Sequence, residues 1–124
     1  GEGNVAEGDS SSITGGYGNM ASGRGSSVTG GSSNTAEGDY YSSVTGGKGN
    51  VAEGLYSSIT GGSSNTAEGR YSVVTGGSSN KAEGDYSTVS GGKKNAAAGE
   101  GSSILGGSLN SVSGKEATVS EIGR

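Results

Sequence analysis

The sequence predicts an all-β protein, a parallel β-solenoid of about eight coils with roughly 15 residues in each coil. One unit fills almost the whole chain and is represented by residues 61–75, GGSSNTAEGRYSVVT. Three features predict this fold: a fixed repeat length, alternation of fixed and variable residues at a spacing of two, and recurrence of the same residue types in every unit. Stacked coils place each residue on its counterpart, whereas an array of antiparallel hairpins gives no reason for that recurrence.

An asparagine begins the first strand segment of every unit. Successive asparagines are the same number of residues apart, except that the interval from Asn34 to Asn50 is one residue longer. The extra residue lies around Tyr40 and Tyr41 and indicates a bulge in a connection between strands. The six inner asparagines are the expected structural ladder, namely Asn19, Asn34, Asn50, Asn65, Asn80 and Asn95.

Two interpretations of these asparagines stay open. A buried side-chain amide can donate to and accept from the amides above and below it, as in cross-β stacks. Alternatively, Asn recurs because it tolerates a turn conformation with positive φ. Both can hold together, and recurrence in all eight units favours the ladder.

Each unit contains two short predicted strands, N-x-A-x-G and S-x-V-x-G, joined by turns rich in Gly and Ser. Helix is excluded because the chain contains 29 Gly in 124 residues, and each Gly costs roughly 1 kcal/mol relative to Ala in a helix. In the representative unit, the residues expected to build the roll are Asn65, Ala67, Gly69, Ser72 and Val74, with Gly61 and Gly62 at the turn. The residues expected to face outward are Thr66, Glu68, Tyr71, Val73 and Thr75.

Composition excludes several classes of function. The chain has no His, Cys, Trp, Phe or Pro, and its formal net charge is −4. Because His and Cys are absent, the chain lacks the side chains needed for an imidazole general base, for thiol catalysis and for the usual zinc or haem sites. The scattered Lys and Arg form no basic stripe, so nucleic acid is not an expected partner. No unit stands out by a one-off acidic cluster, and we therefore expect no enzyme and no cofactor.

The predicted core is thin. One Ala and one Val or Ile per coil bury little apolar surface compared with the entropy lost in ordering the whole coil. The low content of Leu, Ile and Val is also typical of disordered chains, although strict periodicity and the modest charge argue against disorder. We therefore expect a rod assembled from several chains.

Four tyrosines are expected to stack on the outer surface, flanked by Arg70 and Asp85. Because exposed Tyr is enriched in contact surfaces, this stripe is the first candidate for partner binding. The alternative is that it covers the roll or packs between protomers. The candidate residues are Tyr41, Tyr56, Tyr71, Tyr86 and Arg70.

Two further outward rows are predicted. The first consists of Glu37, Glu53, Glu68 and Glu83; it could collect cations, but a solvated acidic stripe is the favoured interpretation. The second consists of Ser and Thr on either side of the central Val or Ile, as in Ser58 and Thr60. Regular Thr ranks on a flat solenoid face can order water, as in antifreeze proteins, so an ice-binding protein is the alternative function. Val73, Leu105 and Ser120 interrupt these ranks.

Units such as residues 39–54, DYYSSVTGGKGNVAEG, and 70–84, RYSVVTGGSSNKAEG, resemble the head repeats of trimeric autotransporter adhesins of the YadA-like type. The segments SSVTGG and SVVTGG stand in the position of the first strand motif, and NVAEG and NKAEG in that of the second. The resemblance covers residues 1–120. Two features depart from the family: the period is 15 rather than 14, and a Gly replaces the apolar residue before the Gly of the first motif.

The resemblance implies a left-handed β-roll that forms a side-by-side homotrimer. It also implies a cell-surface adhesin head that attaches bacteria to extracellular-matrix proteins, host cells or each other. The outer-membrane anchor would lie in segments outside this chain, with no direct membrane insertion by this segment. The chain starts at Gly1 rather than Met and is expected to be a piece of a longer protein, with residues 121–124 as a possible start of a neck or stalk. A trimeric phage tail-fibre segment is a further alternative.

Overall fold

The structure, a computed structural model, describes residues 1–120 and confirms the predicted all-β parallel solenoid. Eight coils each contribute two strands of two residues, which form two eight-stranded parallel sheets. The possible start of a neck at 121–124 lies outside the described residues. Within residues 1–120, no helix is present that would be long and apolar enough to cross a membrane.

The first sheet is formed by the strands that follow the asparagines. Its members are β1 (Val5–Ala6), β3 (Met20–Ala21), β5 (Thr35–Ala36), β7 (Val51–Ala52), β9 (Thr66–Ala67), β11 (Lys81–Ala82), β13 (Ala96–Ala97) and β15 (Ser111–Val112). The second sheet consists of β2 (Ser12–Ile13), β4 (Ser27–Val28), β6 (Ser43–Val44), β8 (Ser58–Ile59), β10 (Val73–Val74), β12 (Thr88–Val89), β14 (Ser103–Ile104) and β16 (Thr118–Val119). Like residues therefore pair with like, as in Ala67 with Ala52 and Ala82.

The longer step between Asn34 and Asn50 is accommodated in one connection, between β5 and β6. Arg24 pairs with Tyr40 in an isolated parallel bridge, and the backbone N–H of Tyr41 donates to the carbonyl of Arg24. In the other coils the residue equivalent to Tyr40 follows directly after the Gly of the N-x-A-x-G segment. The inserted residue is thus Asp39, next to Tyr40 and in a connection between strands, as expected from the sequence.

The core contains one column from each sheet. Alanines from Ala21 to Ala97 and the facing Val and Ile residues from Val28 to Ile104 are at most 1% exposed. In the representative coil, the five residues expected to build the roll are buried, and the five expected to face outward are half-buried or exposed. The alternation read from the sequence is therefore confirmed.

The asparagines form a buried ladder, but its bonding differs from the amide-to-amide stack considered above. The Oδ1 atom of Asn50 accepts from the backbone N–H of Asn65 at 3.0 Å. The Nδ2 atom of Asn65 donates to the carbonyls of Gly61 at 3.0 Å and Gly77 at 3.1 Å. The reason is geometric: coils separated by a strand spacing of about 4.8 Å bring each amide within reach of the backbone of the next coil.

The positive-φ interpretation of Asn is wrong by one residue. The left-handed conformation belongs to the residue before each Asn, such as Ser64 with φ 57° and Lys94 with φ 55°. Two other positions in each coil are also left-handed. One is the second Gly of the Gly-Gly pair, such as Gly62 with φ 88°, and the other is the position of Tyr71, with φ 58°. Three left-handed corners therefore turn each coil.

Candidate functional site

The four tyrosines form a continuous stack on the outer surface, as the sequence predicts. The ring centroids of Tyr41 and Tyr56 are 5.8 Å apart, those of Tyr56 and Tyr71 4.9 Å, and those of Tyr71 and Tyr86 5.2 Å. The rings of the last two pairs are nearly parallel, with interplanar angles of 5° and 4°. Each tyrosine remains 43–59% exposed. We call these four residues the Tyr row.

The Tyr row occupies a corner that does not require an aromatic residue. All four tyrosines have φ between 50° and 61°, a conformation that is uncommon for large residues. Other coils place Ser10, Gly25, Gly101 or Glu116 at the same corner with similar φ. At the lower end, the ring of Tyr41 lies against Gly25, where a Cβ would come within 2.6 Å of the ring. The fold therefore tolerates the tyrosines rather than depending on them.

Arg70 and Asp85 form a paired group beside the Tyr row. The Nη2 and Nε atoms of Arg70 donate to Oδ2 of Asp85 at 2.8 and 3.1 Å, and the backbone N–H of Arg70 donates to Oδ1 at 2.9 Å. The side-chain bond, followed by the backbone bond, lowers the pKa of Asp85, and the bond to Asp85 raises the pKa of Arg70. Since only Nε and Nη2 make these contacts, Nη1 of Arg70 keeps its donors for a partner.

The second outward row, Glu37, Glu53, Glu68 and Glu83, is confirmed as a line of carboxylates along β5, β7, β9 and β11; we call it the Glu row. Burial raises the pKa of Glu53, and the negative charges of Glu68 and Glu37 raise it further. Lys81 partly offsets this repulsion because its Nζ lies 2.9 Å from Oε1 of Glu68 and 3.9 Å from Oε2 of Glu83. Among residues 1–120, no group of carboxylates could hold a metal ion.

The outward row of Ser and Thr residues predicted beside the central Val or Ile is also present. The residues after the central Val or Ile are exposed in all eight coils and lie one above another. They are Thr14, Thr29, Thr45, Thr60, Thr75, Ser90, Leu105 and Ser120. The first five form an uninterrupted Thr column, and Leu105, which is 56% exposed, breaks the pattern.

One depression was not expected from the sequence. It has a volume of about 420 Å³ and is lined by residues of the first three coils: Gly8, Asp9, Ser22, Gly23, Arg24, Glu37, Asp39 and Tyr40. The guanidinium carbon of Arg24 lies 5.3 Å from the centroid of the Tyr40 ring. The sequence signal was the single extra residue between Asn34 and Asn50, which marks the coil but does not predict a cavity.

Compared with known proteins, the chain matches no protein-family model, and no curated protein matches it significantly.

Proposed function

We propose that this chain is the head of a bacterial surface adhesin that acts without enzymatic chemistry, through side chains on the outside of a rigid rod. Its partners would be extracellular-matrix proteins, host cells or other bacterial cells. The observation that carries this proposal is the Tyr row, with Arg70 at its flank. A row of four stacked and exposed aromatic residues is the kind of surface that protein contacts favour.

The energetics of the Tyr row support a role outside the fold. A non-Gly residue in the left-handed region costs about 1 kcal/mol or more, and the stack leaves each ring largely in contact with solvent. Other coils satisfy the same corner with Gly, Ser or Glu. Four consecutive tyrosines in this unfavourable conformation are therefore better explained by contact with another molecule than by the stability of one chain.

The test is a variant in which Tyr41, Tyr56, Tyr71 and Tyr86 are all replaced by Ser. We expect binding to immobilised collagen, fibronectin or laminin to fall at least about tenfold, as expected when several aromatic anchors are lost. The matched control replaces the exposed Leu105 and Leu109 by Ser, which removes apolar surface elsewhere on the rod. Equal binding by the Tyr variant and the wild type, or equal loss in both variants, would contradict the proposal.

The proposal includes a side-by-side homotrimer with a left-handed roll, as the resemblance implies, displayed at the cell surface by segments outside this chain. The thin core supports association, because each coil buries only one Ala and one Val or Ile. Light scattering should give three times the chain mass. If the Tyr row packs between protomers instead of binding a partner, the Tyr variant will lose trimer stability before it loses adhesion.

An ice-binding protein is the second candidate, and it is favoured by one observation. The Thr column contains five consecutive exposed threonines at the strand spacing of about 4.8 Å. Thermal hysteresis that disappears in a Thr29, Thr45 and Thr60 to Val variant, combined with monomeric behaviour, would place this function ahead of adhesion. The interruption by Ser90 and Leu105 makes it the weaker candidate.

A further inference from the structure

Two departures from the repeat meet at one place on the surface. Ser22 stands where the coils on either side have Glu7 and Glu37, and Asp39 is inserted into the next coil. Both departures border the 420 Å³ depression, with Ser22 and Asp39 in its wall beside Arg24. A periodic fold needs neither of them, because the same strands form in coils that have Glu at the first position and no insertion.

The side chains of the depression are not satisfied within the chain. Arg24 and Arg70 occupy equivalent positions, but Arg70 pairs with Asp85 while the residue above Arg24 is Tyr40. Within residues 1–120, Arg24 forms no ion pair. The carboxylates of Asp9, Glu37 and Asp39 likewise form no side-chain hydrogen bond or ion pair with another described residue. The wall therefore offers three acceptor groups and one charged donor group to a ligand.

From this arrangement we propose that the depression is a binding site for one neutral sugar unit of a glycan. A pyranose ring presents adjacent hydroxyls that donate to the carboxylates of Asp9, Glu37 and Asp39 and accept from the guanidinium of Arg24. Such charge-assisted hydrogen bonds are about twice as strong as neutral ones. The volume of about 420 Å³ lies within the range of about 300–1,000 Å³ that is typical of small-molecule sites.

The charges of the wall select against other ligand classes. Three carboxylates and one guanidinium give a net negative site, which repels phosphate and other anions. An ammonium or guanidinium group from a basic peptide would pair with the carboxylates but offers no acceptor to Arg24, and a metal ion is not supported by any carboxylate group in residues 1–120. A neutral polyol satisfies both the donor and the acceptors. This site does not depend on the proposed adhesin function, since none of the four tyrosines of the Tyr row lines the depression.

Saturation-transfer NMR on the whole chain tests the site, with the methyl pyranosides of glucose, galactose, mannose and N-acetylglucosamine as probes and oligolysine as the competing class. A single sugar in so open a site should bind with a Kd on the order of 1 mM. We expect Arg24→Ala to weaken binding at least about tenfold, the effect of losing a hydrogen bond to a charged group. Deletion of Asp39, which restores the regular step between coils, should have the same effect.

Arg70→Ala is the matched control, because it removes an arginine from the same column outside the depression, and it should leave sugar binding within about twofold of wild type. Circular dichroism of each variant shows whether the β-structure is retained. The proposal is overturned if none of the four sugars binds, if binding survives both Arg24→Ala and the deletion, or if oligolysine alone binds. The Tyr-to-Ser variant should keep sugar binding, so failure of this site and failure of the adhesin proposal are distinguishable.

Discussion

The side-chain Oδ1 of Asn50 accepts a hydrogen bond from the backbone N–H of Asn65 at 3.0 Å, in an environment from which water is excluded. Each asparagine thus links its own coil to the next through main-chain atoms. The same bond recurs between Asn65 and Asn80 at 2.9 Å and between Asn80 and Asn95 at 3.0 Å. The asparagine ladder is therefore part of the backbone hydrogen-bond system of the solenoid.

Replacing Asn65 by Ala should destabilise the protein strongly. The change leaves the buried N–H of Asn80 and the half-buried carbonyl of Gly61 without a partner, whereas the carbonyl of Gly77 keeps its bond from the backbone N–H of Ser63. Each unsatisfied group costs about 1–3 kcal/mol, so we expect a loss of about 2 kcal/mol or more in the free energy of unfolding, measured by urea titration. Asn4→Ala, at the exposed first coil, is the control and should cost less. Equal losses at the two positions would contradict this account.

The two glycines of each Gly-Gly pair should respond differently to alanine. A Cβ at Gly62 would collide with the carbonyl oxygen of Gly77 and with Nδ2 of Asn65, and the residue has φ 88°. A Cβ at Gly61 would meet nothing within 4 Å. We expect Gly62→Ala to cost more than about 2 kcal/mol and Gly61→Ala to change stability by less than about 1 kcal/mol. Thermal unfolding of the two variants, measured side by side, checks the contrast.

The buried serines should be dispensable. Ser72 is fully buried, and its Oγ has no hydrogen-bond partner; the same holds for Ser26, Ser42, Ser57, Ser87 and Ser102. Because a buried hydroxyl without a partner costs free energy, Ser72→Ala should raise the free energy of unfolding by about 1 kcal/mol. Ser58→Ala, on the outer side of β8, serves as the control and should stay within about 0.5 kcal/mol. Destabilisation by Ser72→Ala would indicate that the hydroxyl is bonded.

Acid should stabilise the Glu row while it weakens the Arg70–Asp85 pair. The pKa of Glu53 is raised in the folded protein, so folding favours the protonated carboxyl. The stability that this gives is fully present below the ordinary pKa of about 4.3 and is lost as the pH rises through the raised pKa. The pKa of Asp85 is lowered, so its contribution is present above about 3.9 and is lost as the pH falls through the lowered pKa.

The Glu53→Gln variant tests the first of these effects. At pH 7 it should be slightly more stable than wild type, by under about 0.5 kcal/mol because solvent screens the row, and the difference should vanish near pH 4. Glu100→Gln, which removes a carboxylate outside the Glu row, is the control. Unfolding curves recorded at the two pH values provide the measurement, and a destabilised Glu53→Gln variant at pH 7 would contradict the predicted repulsion.

Periodicity alone was enough to predict the coils, their two strands and the residues that face inward. Alternation at a spacing of two identifies Ala67 and Val74 as core residues because a strand directs successive side chains to opposite faces. The Tyr row followed from the same register, since equal positions in successive coils must lie one above another. These predictions needed only the repeat length and the pleat of a strand.

The remaining features depend on atoms that the pattern does not specify. Whether Asn65 bonds to another amide or to the carbonyl of Gly77 is decided by the path of the backbone between coils, as is the left-handed φ of Ser64. The depression beside Asp39 arises from two unrelated changes in successive coils, Ser22 and the inserted Asp39, which are close only after the chain is wound. Irregularities in a repeat therefore point to sites that the repeat itself cannot predict.

The short strands also determine how the rod responds to force. Most hydrogen bonds between coils run along the rod axis, and each coil is held by its neighbours alone. A force applied to one end of the chain would act on the terminal coil and not on the others, so the rod would unfold one coil at a time. Each released coil adds about 50 Å of extended chain. Such a rod would lengthen in small, repeated steps and dissipate work before it fails.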